Sequence, residues 1–186
     1  MNREQYIATH NSGTGEMGYG WWSFLYAPFA KCQSKTLVEQ YKKGVRLFDL
    51  RIRKNKKGLW VFAHGLWESS DSIGYALSDL NLVAFKTGEK AMLMVTYEGE
   101  CKDKVGFMAE VTSWDCYSWL EIVDVSVKKP KWRTLARYKN VAYNQCFRVL
   151  DFSTWHTLLP IPWLWAKVKS MTEKPSHNMF NMYDFI

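Results

Sequence analysis

The stretch VRLFDLRIR, residues 45–53, constrains this chain more than any other. Side chains alternate faces along a strand, so Phe48, Leu50 and Ile52 share one side while Leu47, Asp49 and Arg51 share the other. The apolar side has to be covered by other elements. The opposite side carries a carboxylate and a guanidinium in mid-strand, and burying such groups is costly unless they are paired or turned into a polar cavity. Helices on one face of a sheet and a polar mouth on the other satisfy both demands.

The rest of the sequence alternates apolar strands with helix-like segments. Strand candidates are QYIATH (5–10), LWVFAHG (59–65) and AMLMVTYE (91–98), followed by the weaker LEIVDVSV (120–127), CFRVLDFS (146–153) and NMFNMYDFI (178–186). Between the first two strands, TLVEQYKKG reads as a helix. Thr36 and Glu39 are spaced as a capping box, Leu37, Val38 and Tyr41 form one face, and Gly44 stands at the C-cap. Further helices are expected at 72–87, 103–114 and 155–170, and the charged KNKKG joins the second strand to the third. This order predicts an α/β fold built on parallel strands. A closed barrel of eight strands usually takes about 250 residues, so a single domain spanning residues 1–186 must be a compact version with some helices short or missing.

A hydrophobic content of 47% supports a packed core and argues against disorder. No apolar run is long enough to span a bilayer as a helix. The MNREQYIATH terminus lacks the zones of a secretory signal, so the expected location is cytoplasmic as synthesised, or outside after lysis or a non-standard release. Four cysteines, Cys32, Cys101, Cys116 and Cys146, show no CxxC pairing and are read as isolated buried thiols. The net charge of +7 favours anionic partners. The basic residues are scattered and carry no nucleic-acid motif, which leaves an anionic lipid surface.

Polar residues recur at strand ends. His10 ends the first strand, Asp49 and Arg51 lie late in the second, His64 ends the third, Glu98 ends the fourth, and Asp184 lies near the end of the last. Each has a plain structural alternative: a structural histidine, an Asp49–Arg51 ion pair, a Glu98 helix cap. Taken jointly, four consecutive strands obey one rule, and in parallel barrels the C-terminal strand ends form the active site. Two histidines, an arginine and carboxylates there suit proton transfer on a phosphate ester.

At these residues the chain resembles the X catalytic domain of phosphatidylinositol-specific phospholipase C, in its bacterial, metal-independent form. The matching segments are THNSGT (9–14), CQSKTLVEQYKKGVRLFDLRIR (32–53), VFAHG (61–65) and AMLMVTYE (91–98), with NMYDFI (181–186) at the end. The resemblance implies a distorted TIM-type (β/α) barrel that cleaves the glycerol–phosphate bond of phosphatidylinositol. The inositol 2-hydroxyl attacks phosphorus, giving diacylglycerol and a cyclic inositol phosphate. It assigns His10 as general base, supported by Asp184, His64 as general acid, and Arg51 as the cation facing the phosphate. Asp49 and Asn11 complete the catalytic set, and Glu98, Arg133 and Arg137 are the candidates for substrate binding.

No cofactor is expected, because Arg51 stands where the calcium-dependent relatives carry an acidic residue. Asn11 departs from the aspartate usual in bacterial members, so the support of His64 is open to Asp49 or Glu98, and a Ca²⁺ site from Asn11, Asp49 and Glu98 is the alternative. The aromatic stretch GYGWWSFLYAPF (18–29) is expected as a rim loop that places Trp21, Trp22 and Phe24 at a membrane interface. LLPIPWLWAKVK (158–169) is a second lipid-facing candidate. The expected partner is phosphatidylinositol or a related inositol lipid on a peripheral membrane surface, with the protein a monomer. Two rivals stand beside this reading: a catalytically dead lipid-binding module on the same barrel, and a metal-dependent glycerophosphodiesterase or sphingomyelinase-D-like enzyme.

Overall fold

The computed structural model describes residues 6–127, 144–145 and 180–183. The elements run β1 (Tyr6–Thr9), α1 (Gly20–Ala30), α2 (Leu37–Lys42), β2 (Val45–Lys54), β3 (Trp60–His64), β4 (Trp67–Glu68), α3 (Ile73–Thr87), β5 (Ala91–Tyr97), α4 (Lys104–Ser113), β6 (Leu120–Ser126), β7 (Asn144–Gln145) and β8 (Phe180–Tyr183). The mixed α/β class is as expected, and the first four strand segments and the helices at 36–44, 72–87 and 103–114 fall where the sequence puts them.

Strand β2 is the hub. It pairs in parallel with β1 through Ala8↔Leu47 and with β5 through Asp49↔Met94 and Arg51↔Thr96. Parallel pairing continues outward to β6 on one side and to β8 and β7 on the other, giving six parallel strands in the order β6-β5-β2-β1-β8-β7. Among the described residues β6 and β7 do not pair, so the described sheet is not closed into the distorted barrel that was expected.

One strand runs against the parallel expectation. Strand β3 is antiparallel to the end of β2, in register Ile52↔Phe62 and Lys54↔Trp60, and β4 continues the ribbon. The reversal is made by KNKKG. The Asn55 side-chain oxygen accepts from the Lys57 and Leu59 amides, and the Asn55 and Gly58 amides close the turn on the Leu59 and Asn55 carbonyls. A short loop held by an Asx-type bond joins antiparallel neighbours, whereas a parallel pair needs a long crossover.

Face parity decides the layers. Phe48, Leu50 and Ile52 of β2 and Leu93 and Val95 of β5 are buried in one core with Leu77, Leu80 and Ala84 of α3 and Phe107 and Val111 of α4. Burying each large apolar side chain contributes about 1.5–3 kcal/mol. The opposite face carries Leu47, Asp49, Arg51, Met94 and Thr96, all buried.

Helix α2 has the expected capping box: the Thr36 hydroxyl accepts from the Glu39 amide and the Glu39 carboxylate accepts from the Thr36 amide. The helix stops before Gly44, whose φ of 96° lies in the left-handed region that residues with a Cβ avoid. Helix α3 starts at a Ser72 cap and buries Ile73, Leu77, Leu80 and Ala84 at helical spacing. The stretch expected as a rim loop is instead helix α1. Among the described residues no helix is long and apolar enough to cross a membrane.

Candidate active site

The segment that follows β1 folds back on itself. Asn11 takes a left-handed conformation (φ 46°, ψ 48°), and a 3-10 turn, Ser12–Gly15, follows at once. Asparagine is among the few residues that tolerate this region. Gly13 lies so close to the Phe62 ring that a Cβ there would overlap it.

Thr14 staples this turn to the chain beyond α1. Its hydroxyl donates to the Asn11 carbonyl at 2.7 Å and accepts from the Cys32 and Gln33 amides at 3.0 and 3.1 Å. The Gln33 side-chain amide donates to the His10 carbonyl at 3.1 Å, and that of Gln40 donates to the Ser12 carbonyl at 2.8 Å. The residues that carry THNSGT and CQSKT thus form one hydrogen-bonded unit behind His10.

His10, buried, sits over the polar face of β2. Its Nε2 lies 2.8 Å from Arg51 Nη2 and 3.8 Å from Asp49 Oδ2. A guanidinium has no acceptor, so Nε2 receives that bond with its lone pair and the imidazole is neutral in this arrangement. Asp49 Oδ2 also faces Arg51 Nε at 3.6 Å and accepts from the Asn11 amide at 3.2 Å. Arg51 Nη1 is 3.8 Å from Glu98 Oε2, and the other oxygen of Glu98 accepts from the Gly65 amide at 2.9 Å. Glu98 is therefore a link between the β3–β4 turn and Arg51, and does not cap the following helix, whose cap is Asp103.

His64 enters from the side. Because β3 is antiparallel, it is the chain reversal, and not a parallel strand end, that brings this residue back over β2. The two imidazoles stand edge to face, with centroids 6.4 Å apart and planes at 81°. His64 Nδ1 is 2.6 Å from the Ala30 carbonyl oxygen and 4.0 Å from Cys32 Sγ. On its Nδ1 side the ring thus meets a backbone carbonyl at the end of α1. A cleft of about 240 Å³, lined by Tyr26, Ala30, His64, Gly65 and Leu66, opens beside it.

His10, Asn11, Asp49, Arg51, His64 and Glu98 thus converge. Asp184, Arg133 and Arg137 lie outside the described residues, as do Cys146, the strand at 146–153, the helix at 155–170 and the segment 158–169. Trp21, at 64% exposure, is on the outer surface of α1 with Leu25 and Tyr26 beside it, while the side chains of Trp22 and Phe24 are outside the description. The reading of the cysteines as buried thiols holds for Cys32 and not for Cys101 or Cys116. Cys32 is buried within the site, Cys101 is half-buried and Cys116 is exposed. Cys32, Gln33 and Thr14 were missed as site residues; their proximity to THNSGT is created by tertiary folding.

In overall fold the chain is similar to the phosphatidylinositol-specific phospholipase C from Listeria monocytogenes, with a TM-score of 0.63 and 15% identity over 97% of this chain and 88% of that one. A phosphatidylinositol-specific phospholipase C from Staphylococcus aureus carrying pentafluoro-phenylalanine matches with a TM-score of 0.49 and 17% identity. This match covers 70% of the present chain, which spans about 50% of the staphylococcal one. At such identities the likeness is one of fold. No protein-family model matches the chain, and a search of curated proteins finds no match.

Proposed function

We propose that the chain is a phosphodiesterase of the phosphatidylinositol-specific phospholipase C type. The observation that carries this reading is the pair of imidazoles, 6.4 Å apart, with the Arg51 guanidinium bonded to one of them. Two imidazoles at this spacing can flank a tetrahedral phosphate, one on each side of phosphorus.

His10 is neutral, and as Arg51 turns its Nη2 donor from the Nε2 lone pair to the phosphoryl oxygens, Nε2 takes the proton of the inositol 2-hydroxyl while that oxygen bonds to phosphorus. His64 gives a proton to the glycerol oxygen as the P–O bond to diacylglycerol breaks. One proton enters the protein and one leaves it, and the products are diacylglycerol and a cyclic inositol phosphate. Arg51 faces the charge that builds on the phosphoryl oxygens, a type of contact worth about 10²–10³ in rate at comparable sites. Asp49 and Glu98 hold the guanidinium from two sides, and Asp184 is the proposed partner of His10.

The reading includes metal independence. Arg51 lies within 4 Å of both carboxylates that a calcium site would need, and a cation placed among them would face the guanidinium at close range. It also includes a distorted barrel, with the six parallel strands as its core, and a monomer working on a membrane surface. Trp21, Leu25 and Tyr26 supply the contact, with amphipathic rings suited to the headgroup zone.

The deciding experiment is incubation with phosphatidylinositol vesicles, with and without EDTA, followed by phosphorus NMR. A cyclic phosphodiester formed equally in both samples is the expected result. No cyclic product in either sample would overturn the reading, and loss with EDTA restored by calcium would overturn metal independence.

A further inference from the structure

His64 is held on one side by groups that carry no charge. Its Nδ1 is 2.6 Å from the Ala30 carbonyl oxygen. A carbonyl can only accept, so the Nδ1 proton is committed to it and the titrating position is Nε2. The carbonyl is itself held in place. Ala30 ends α1, and the Cys32 thiol folds back toward the same oxygen at 3.7 Å. The Asn11 side-chain amide donates to Cys32 Sγ at 3.4 Å, and the Cys32 amide is fixed by Thr14 at 3.0 Å.

The arrangement rules out a more obvious role for the thiol. Cys32 Sγ lies 4.0 Å from His64 Nδ1, a spacing that suggests a thiol–imidazole nucleophile. Nδ1 already carries a proton bonded to Ala30, so it cannot accept the thiol's, and Cys32 is 2% exposed. The thiol can fill space and bond weakly, and no substrate reaches it.

We propose that Asn11 and Cys32 are positioning residues that hold the Ala30 carbonyl against His64, fixing the Nδ1–H tautomer so that Nε2 alone exchanges a proton with the leaving oxygen. The assignment of the acid rests on the phospholipase reading; the tautomer and its support do not. The carbonyl acceptor fixes which nitrogen keeps its proton, and a proton held on Nε2 in a set direction suits donation to the leaving oxygen.

The test is nitrogen NMR of the full chain with labelled histidine, using long-range proton–nitrogen correlations to read each ring's tautomer and His64→Gln to assign the signal. The expected result is a neutral His64 protonated on Nδ1, with that preference weakened in Cys32→Ala and in Asn11→Ala. Asn11→Asp, which adds a negative charge beside Cys32, should move the midpoint of the His64 titration upward. Phosphatidylinositol turnover is measured in parallel. Cys32→Ala should lower kcat about tenfold with KM unchanged, since small displacements of a catalytic group cost up to about 10²-fold, and Cys32→Ser should recover part of it.

An Nε2–H tautomer in the unaltered protein overturns the proposal whether or not the variants fold, as does a tautomer that both alanine variants leave intact. Lack of turnover in every sample with the Nδ1–H tautomer present would instead refute the phospholipase reading and leave this one standing.

Discussion

Arg51 Nη2 and His10 Nε2 are 2.8 Å apart, across two parallel strands and 41 residues of sequence. The contact joins a permanent cation to the lone pair of a neutral ring, and Asp49 Oδ2 lies within 4 Å of both. The guanidinium is thus placed by its neighbours before any ligand arrives. Replacing it tests structure and chemistry together. Arg51→Lys keeps the charge but loses the planar fork, and should lower kcat by about 10²–10³ with a folded circular dichroism spectrum. Arg51→Met leaves Asp49 buried opposite an apolar chain and should cost about 3–5 kcal/mol in urea unfolding. A Lys variant with full activity would remove Arg51 from the chemistry.

The proposed mechanism requires the two imidazoles to be in opposite protonation states for turnover. His10→Ala and His64→Ala should each reduce release of cyclic product by about 10²–10⁴-fold, with far-ultraviolet spectra unchanged. The pH dependence of kcat/KM in the unaltered protein should be bell-shaped, falling on the acid side as His10 is protonated and on the alkaline side as His64 is not. A profile that is flat between pH 5 and 9 contradicts the pairing.

Glu16 gives a pH effect on stability away from the imidazoles. Burial pushes its carboxyl above the ordinary range, partly opposed by the Leu37 amide, which donates to Oε1 at 2.8 Å. With the folded-state value above the unfolded one, the favourable contribution is complete below the unfolded value of about 4.3 and is lost as pH rises through the folded value. Glu16→Gln keeps an acceptor for Leu37 and removes the charge. Its melting temperature relative to the unaltered protein should therefore rise between pH 4 and pH 7.5; a relative fall over that interval would reverse the assignment.

Trp21 tests the proposed membrane face. It is exposed on α1, so Trp21→Ala should leave the melting temperature within about 1–2 °C, consistent with a surface change. Vesicle binding should weaken about tenfold, the value of roughly 1.5 kcal/mol of apolar burial. Cleavage of a soluble substrate analogue should not change. Equal losses on vesicles and on the soluble analogue would place the ring in the fold's support.

What could be read from the sequence follows from how local each signal is. The capping box of α2 and the face parity of β2 are written in adjacent residues, and both appear in the structure. His10, Arg51 and His64 could be grouped because they end or nearly end apolar runs. The direction of β3 is not contained in its own residues, since a strand pattern reads the same either way. Only the KNKKG turn carries that information. The support of His64 was hidden for a different reason: a backbone carbonyl has no residue signature, so nothing marks Ala30. Helix α1 was misread because its Gly, Pro and aromatic content has weak helix propensity, while its helical form is set by the tertiary structure around it.

The β2–β3 hairpin sets the separation of Arg51 and His64 by where its ladder stops. Phe62 lies opposite Ile52, on the covered side of β2, and His64 shares the parity of Phe62. Strict alternation along β2 would therefore bury the imidazole among the core side chains. Beyond Phe62 the strand pairs with β4, through Ala63↔Glu68 and His64↔Trp67, and it is this departure from β2 that leaves the ring beside His10.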